Sequence, residues 1–513
     1  MQRKFLYNLN YFRARISGSR EAVFDAACNR RYTYGQLYER AGKLADFLVH
    51  DCGLGKGDVV AFCSSNAMAF IDAFFAGYQT GIIISTYNHK LQAGELAEMI
   101  RSENPRILFY EESIGEKIQT IRENTRVQRY YTLYAGDGPG QDPPYEQILE
   151  RPYRGPLETD IDPEDIQMYL HTGGTTGRPK TALISFRAMF YNCVCDVFTN
   201  GLSAEDCAYV FLPFSHTSAW NIITIPLLMC GGRIILGRRF DADRILEIIS
   251  RERPTVGMAV PVCYKRMAES PRFLETDFSC FKWMSTGGGP AQLGIMQHYW
   301  DRGIRLANGY GMTEVGPHNL TFPLVGTELN EIRKKWNSVG LPMYFNSVRV
   351  VDEQGRDVPE GTTGELCFSG PLVFSGYLHD RENRELGFQD GWVRTGDMVR
   401  VDAEGYYYIM GRKKHMYISG GENIYTTEIE EIISAFPAVQ DVCVIGVPDD
   451  HWGEVGKALL VVDADTFCME AFRQYLAQTL ASIKIPRYIE EVDQFPLTGA
   501  GKKDMARIRE LYG

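Results

Sequence analysis

Between residues 33 and 112 the chain switches repeatedly between a helical and a strand period of apolar residues. "TYGQLYERAGKLADFLVHDCG" opens with Thr33 and Gln36 at capping-box spacing, then places Leu37, Ala41, Leu44 and Leu48 on one helical stripe. "DVVAFCSS" (58–65) follows as a short apolar strand, "MAFIDAFFAGYQTG" as a helix and "IIISTYN" as a strand. "LQAGELAEMIRSENP" is again a helix and "RILFYEE" a strand. Strands separated by helices are joined by crossovers, so the class is α/β, with mostly parallel sheets covered by helices. Residues 347–377 break the pattern with glycine turns between β-type runs, which predicts an antiparallel sheet or small β-barrel. "TTEIEEIISAF" is a helix with Thr426 or Thr427 as candidate N-cap. "VQDVCVIGV", "GKALLVVDA" and "MEAFRQYLAQTL" then form a small α+β unit. The charged "GRKKH" marks a boundary, giving domains 1–412 and 413–513.

Composition narrows the function. At 513 residues the chain is long enough for two or more folding units. A net charge of -11 disfavours nucleic acid and anionic membrane surfaces as partners. The 12 cysteines are scattered without paired CxxC spacing, which argues against zinc and fits reduced thiols in a cytoplasmic protein. The first twenty residues hold no apolar signal-peptide core, and no run of about 18 apolar residues predicts a membrane span. Oligomeric state is not legible.

"HTGGTTGRPKTA" (171–182) concentrates glycine, threonine and one lysine. Glycines let backbone N–H groups approach an anion, hydroxyls add donors and lysine adds charge. It is not a Walker loop, because Arg178 and Pro179 separate Gly177 from Lys180. Five further segments follow in order: "STGGGP" (285–290), "NGYGMTE" (308–314), "WVRTGD" (392–397), "GRKKHMYISGGENIYTTEIE" (411–430) and "PLTGAGKKDM" (496–505). Together they resemble the adenylate-forming (AMP-binding) enzyme superfamily over nearly the whole chain. That superfamily includes acyl-CoA synthetases, peptide-synthetase adenylation domains and luciferases.

The resemblance implies a fold and a set of roles. The fold would be a large N-terminal domain of parallel α/β sheets plus a small β-barrel, with a mobile C-terminal lid. Thr172, Gly173, Gly174, Thr175, Thr176, Gly177 and Lys180 would hold the terminal phosphates of ATP. The family usually has serine at Gly173 and glycine at Thr181, so the loop departs at both. Thr313 would reach the α-phosphate, while Glu314, with Thr176, would hold Mg²⁺. Gly287, Gly288, Gly289, Asn308, Gly309, Tyr310 and Gly311 would border the adenine and acyl group, Tyr310 by stacking. Asp397 would take the ribose hydroxyls, with Arg412 beside it. His216, in "LPFSHTSAW" (212–220), would lie at the acyl carboxylate, with Val260, Thr286 and Gly309 around the pocket. Larger residues often stand at Gly309, so its small size would leave room for a bulky or extended acyl chain. Lys502 would bridge the attacking carboxylate and the α-phosphate, with Lys503 a solvated charge. Lys414 would be the hinge. Ser419, Gly420, Gly421, Glu422 and Trp452 would meet CoA.

The implied activity is that of an acid–thiol ligase acting on a fatty or aryl acid, with ATP, Mg²⁺ and CoA. An acyl-adenylate forms with loss of pyrophosphate, and the acyl group then passes to the CoA thiol. Two alternatives stay open: loading of a carrier-protein phosphopantetheine, or a catalytically inert nucleotide-binding relative.

Overall fold

The computed structural model describes residues 8–134, 142–172, 179–289, 292–380, 391–497 and 503–513. Its α/β architecture has a large N-terminal part built on two sheets and a small C-terminal part built on a third.

The three strands read among the alternating segments, Val59–Cys63, Ile83–Tyr87 and Ile107–Tyr110, lie in a six-stranded sheet. Its order is Arg129–Thr132, Ile107–Tyr110, Val59–Cys63, Ile83–Tyr87, Ile166–Thr172 and Lys180–Ser185. All neighbours are parallel except the last two, which pair antiparallel and carry residues 173–179 between them. The helix Tyr34–Asp46 starts at the expected capping box: Thr33 Oγ1 accepts from the Gln36 N–H at 3.3 Å, and Gln36 Oε1 accepts from the Thr33 N–H at 2.9 Å. Helix Met68–Thr80 is buried along its whole length, as a helix apolar on every side must be. It lies in an apolar core that takes Val60, Phe62 and Ile84 from this sheet and Ile234, Ile235 and Val256 from the other.

The second sheet has thirteen strands. Glu21–Asp25, Arg233–Leu236, Cys207–Val210, Val256–Ala259, Trp283–Thr286 and Leu306–Met312 run parallel. Arg30–Thr33 pairs antiparallel with Glu21–Asp25 at one edge, and from Gly316–Thr321 onward the strands are antiparallel, through Ser338–Pro342, Tyr407–Arg412, Val393–Val401, Gly364–Ser369 and Ser347–Val351. The antiparallel strands expected from residue 347 thus continue hydrogen-bonded from the parallel ones in one series. The two sheets meet at a short seam. The Leu183 N–H donates to Gly376 O at 2.9 Å, the Ser375 N–H to Leu183 O at 2.8 Å and the Leu378 N–H to Thr181 O at 3.0 Å.

The C-terminal part has its own sheet, in the order Glu422–Ile424, Tyr417–Ser419, Gly453–Val462 and Val439–Asp449, with Tyr488–Glu491 beside Gly453–Val462. Two apolar cores within residues 417–512 hold it together. The helix Thr426–Ser434 begins with Tyr425 at its N-cap and no side-chain cap, so neither Thr426 nor Thr427 fills that role; Glu428 supplies the acidic first turn. All twelve cysteines are free thiols. Among the described residues no helix is long and apolar enough to cross a membrane.

Candidate active site

In a parallel sheet the loops at the carboxyl ends of the strands form the natural crevice. Gly287, Gly288 and Gly289 leave the end of Trp283–Thr286, and Asn308 and Gly309 sit beside them on the next strand, with Thr286 opposite Asn308. A side chain at Gly287 would come within 3.1 Å of Gly309 O, and Gly288 has φ +76°, so this turn takes glycine for both space and conformation. Thr286 Oγ1 and Asn308 Oδ1 are buried without a hydrogen-bond partner in the protein. Two such atoms at adjacent strand ends are polar groups awaiting a ligand.

Leu306–Met312 delivers the next group. The Tyr310 hydroxyl donates to Asp397 Oδ2 at 2.6 Å, and the Tyr310 ring stacks on Phe368 with a centroid separation of 6.2 Å. Asp397 is buried, faces Arg412 across the antiparallel pair, and takes Arg412 Nε on Oδ1 at 2.8 Å. Burial, then the Asp397 charge, pushes the Tyr310 phenol well above its ordinary value, so it stays a donor. Oδ2 of Asp397 thus takes the tyrosine and, at 3.4 Å, Arg412 Nη2, while Oδ1 takes Arg412 Nε and keeps acceptor capacity for a hydroxyl.

Glu314 and Thr313 follow in the turn before Gly316–Thr321, Thr313 half-buried and Glu314 buried. Glu314 Oε1 accepts from the Tyr377 hydroxyl at 2.7 Å. Lys180 Nζ lies 5.2 Å from the centre of the Tyr377 ring. Tyr377 therefore joins the Lys180 stem of the 173–179 loop to Glu314. No motif contained it; the antiparallel pairing of 375–378 with 181–183 is what brings it there.

Beside the strands that flank that loop lies a buried carboxylate. Glu103 accepts from Ser85 Oγ at 2.5 Å, Tyr87 OH at 2.6 Å and Thr181 Oγ1 at 2.7 Å, and pairs with His171 Nε2 at 2.6 Å. Burial alone would raise its pKa, but His171 and the hydroxyls bring it below the ordinary value, so it is ionised. Thr181, unusual in the loop, thus has a partner that glycine would lack. Gly173, Gly174, Thr175, Thr176 and Gly177, and the C-terminal Lys502, lie outside the described residues. Lys503 is anchored rather than solvated, with Nζ 2.6 Å from Asp441 Oδ1.

His216 sits half-buried in the turn after Cys207–Val210. Asn66 fixes that turn, donating to Leu212 O at 2.8 Å and accepting from the Phe214 N–H at 2.9 Å; Trp220 stacks on Phe214 and donates to its carbonyl at 2.7 Å. Gly309 is bordered by an imidazole: a Cβ there would lie 2.9 Å from His318 Nε2. The small residue thus makes room for His318, where sequence reading expected open space for the acyl chain.

On the C-terminal part, Ser419, Gly420, Gly421 and Glu422 form the tip of a hairpin, and the Gly420 N–H donates to Trp452 O at 2.9 Å. Gly420 has φ +57°, and a side chain there would strike the Trp452 ring at 2.8 Å. Lys414 is exposed within the 412–416 turn, and its carbonyl accepts from Arg509 Nη2 at 3.0 Å.

The sequence comparisons agree with this arrangement. Residues 12–378 match the family described as AMP-binding enzyme and residues 428–502 the AMP-binding enzyme C-terminal domain, so the chain belongs to the AMP-binding enzyme family. It is 32% identical over 502 residues to a feruloyl-CoA synthase of Amycolatopsis sp, covering 98% of each chain. It is 32% identical over 486 residues to the indoleacetate–CoA ligase of Aromatoleum aromaticum, covering 94% of this chain and 93% of that one. The crystal structure of ATP-bound MatB from Rhodopseudomonas palustris superposes with a TM-score of 0.87 at 29% identity, covering 98% of both chains.

Proposed function

We propose that the protein is an ATP-dependent, AMP-forming carboxylate–CoA ligase. The observation that carries this reading is Tyr377, whose hydroxyl holds Glu314 while its ring lies against Lys180. A carboxylate for a hard cation then stands at the stem of a loop suited to phosphate.

The first half-reaction joins two anions, so its barrier is charge repulsion and charge growth at phosphorus. Thr172–Lys180 holds the triphosphate, Lys180 contributes positive charge and Thr313 donates to the α-phosphate. Asp397, steadied by Tyr310 and Arg412, takes the ribose hydroxyls. The glycine turn 287–289 and residues 308–311 border the adenine and acyl group, and His216 lies at the carboxylate. Glu314 and Thr176 are oxygen donors of the type Mg²⁺ accepts, alongside phosphate oxygens; when bound, the ion neutralises phosphate charge. Lys502 bridges the incoming carboxylate and the α-phosphate. In the second half-reaction a thiol attacks the acyl carbonyl and AMP leaves. Ser419–Glu422 and Trp452 line its approach. We place the domain boundary at 412/413, with Lys414 as the hinge that exchanges the two surfaces. A cytosolic setting supplies ATP and CoA and keeps twelve free thiols reduced.

The test separates the halves. Wild-type protein should release pyrophosphate only with an acid present and form a thioester with free CoA; transfer only to a holo-carrier protein would redirect the acceptor. Lys502→Ala should slow adenylate formation by on the order of 10²–10³ while sparing thioester formation from supplied acyl-adenylate. Equal loss in both halves would reject that role, and absence of acid-dependent pyrophosphate release across a broad acid panel would reject the ligase reading.

A further inference from the structure

His318 lies on Gly316–Thr321 and is 3% exposed. Its Nδ1 is 2.7 Å from Asp196 Oδ1, on the helix Phe186–Thr199. Asp196 has no exposure and is held in turn by Asn200 Nδ2 at 3.1 Å and Asn192 Nδ2 at 3.2 Å. The imidazole is therefore fixed in orientation by a carboxylate that is itself fixed. The other ring nitrogen, Nε2, is buried with no hydrogen-bond partner in the protein. It faces the bare backbone of Gly309, where a Cβ would lie 2.9 Å away. Nearby, Asn192 Nδ2 donates to Asn221 O at 2.8 Å, and Asn192 Oδ1 and Asn221 Oδ1 are likewise buried without partners. Asn221 lies on the helical segment Ala219–Thr224, which follows the His216 turn.

A pocket for a purely hydrocarbon chain gains nothing from this arrangement. Burying an imidazole nitrogen without a partner is costly, and leucine or valine would fill the same space without that cost. A polar atom of the substrate resolves it. In the tautomer whose Nδ1–H donates to Asp196, Nε2 presents a lone pair, which needs a donor.

Resting on the ligase reading above, we propose that His318 is a specificity-determining residue and that its Nε2 accepts a hydrogen bond from a hydroxyl carried on the hydrocarbon part of the acid. The preferred substrates are then hydroxylated carboxylic acids. Asp196 is a positioning residue that acts through His318.

The experiment compares kcat/KM for thioester formation across matched sets: hydroxylated aryl acids and hydroxylated alkanoic acids, each beside its deoxy and O-methyl counterparts. A site built to bond a hydroxyl discriminates strongly against the analogue lacking it. Wild-type protein should prefer at least one hydroxylated acid over both counterparts by about 10- to 100-fold. The O-methyl ether ranks with the deoxy acid because it has no proton to donate. His318→Leu should collapse the ratio towards one, and His318→Gln, which keeps an acceptor, should restore part of it. A wild-type ratio near one in every set would mean that water satisfies Nε2 and overturns the inference, with no variant needed. A ratio that survives in His318→Leu overturns it as well. Thioester formation in either case leaves the ligase reading standing; no turnover of any acid removes both.

Discussion

Tyr377→Phe deletes one oxygen and leaves the ring beneath Lys180 in place, so it isolates the tie between the phosphate-loop stem and Glu314. That oxygen donates to Glu314 Oε1 at 2.7 Å, and both residues are 6% exposed. A hydrogen bond to a charged acceptor contributes about 1.5–3 kcal/mol, and leaving a buried carboxylate oxygen unpaired costs a similar amount. If that bond holds Glu314 in its working position, the loss appears in the adenylation barrier as about 10- to 150-fold in kcat/KM. The assay is acid-dependent exchange of pyrophosphate into ATP, run across a magnesium titration. The expected result is slower exchange with a higher magnesium requirement, while thioester formation from supplied acyl-adenylate is spared. Exchange within about twofold of wild type at every magnesium concentration would refute the argument, because a difference that small is under 0.5 kcal/mol.

Glu103→Gln keeps the shape but replaces an acceptor of four bonds with a group that must also donate. It should lower stability by about 1–3 kcal/mol, read as the urea midpoint, and raise the KM for ATP because the loop's stems lose their anchor. Gly420→Ala forces a Cβ against the Trp452 ring in a left-handed backbone, so single-turnover thioester formation should slow while the pyrophosphate burst remains; equal slowing of both would contradict the separation. Glu111 gives a pH dependence. Burial alone would raise its carboxyl, but the Ser113 and Ser65 hydroxyls bring it down to about 2. Its folded value lies below the ordinary 4.5, so its stabilisation is complete above that value and is lost as the pH falls towards 2. Glu111→Gln should flatten the fall of the denaturant midpoint over that window, and an unchanged slope would refute the assignment.

Much of the fold was legible because its signals are local. The capping box at Thr33 and Gln36 sits within four residues, and the strands Val59–Cys63, Ile83–Tyr87 and Ile107–Tyr110 are short apolar runs between helices. The small C-terminal unit was legible for the same reason. The helix start at Thr426 was misjudged because two adjacent threonines look alike to a capping rule, while the backbone turns at Tyr425. The site was legible only where a motif concentrates it. Tyr377 is invisible to motif reading, since its partners Lys180 and Glu314 lie far along the chain and meet it only through strand pairing. Glu103 reads as an ordinary surface acid at a helix end until Thr181 and His171 close over it. Gly309 reads as vacant space until His318 is seen beside it. In each case the missing information is a long-range contact, which periodicity and spacing do not encode.

The junction between residues 181–183 and 375–378 rests on three backbone bonds, yet the expected triphosphate grip straddles it. Such a suture couples catalytic competence to mechanical integrity. Shifting residues 375–378 alone would carry Tyr377 away from Lys180 while the rest of the core shared by the two sheets stays closed. Inactivation on warming should therefore precede bulk melting, and a cross-link laid over that border would protect turnover more than it protects secondary structure.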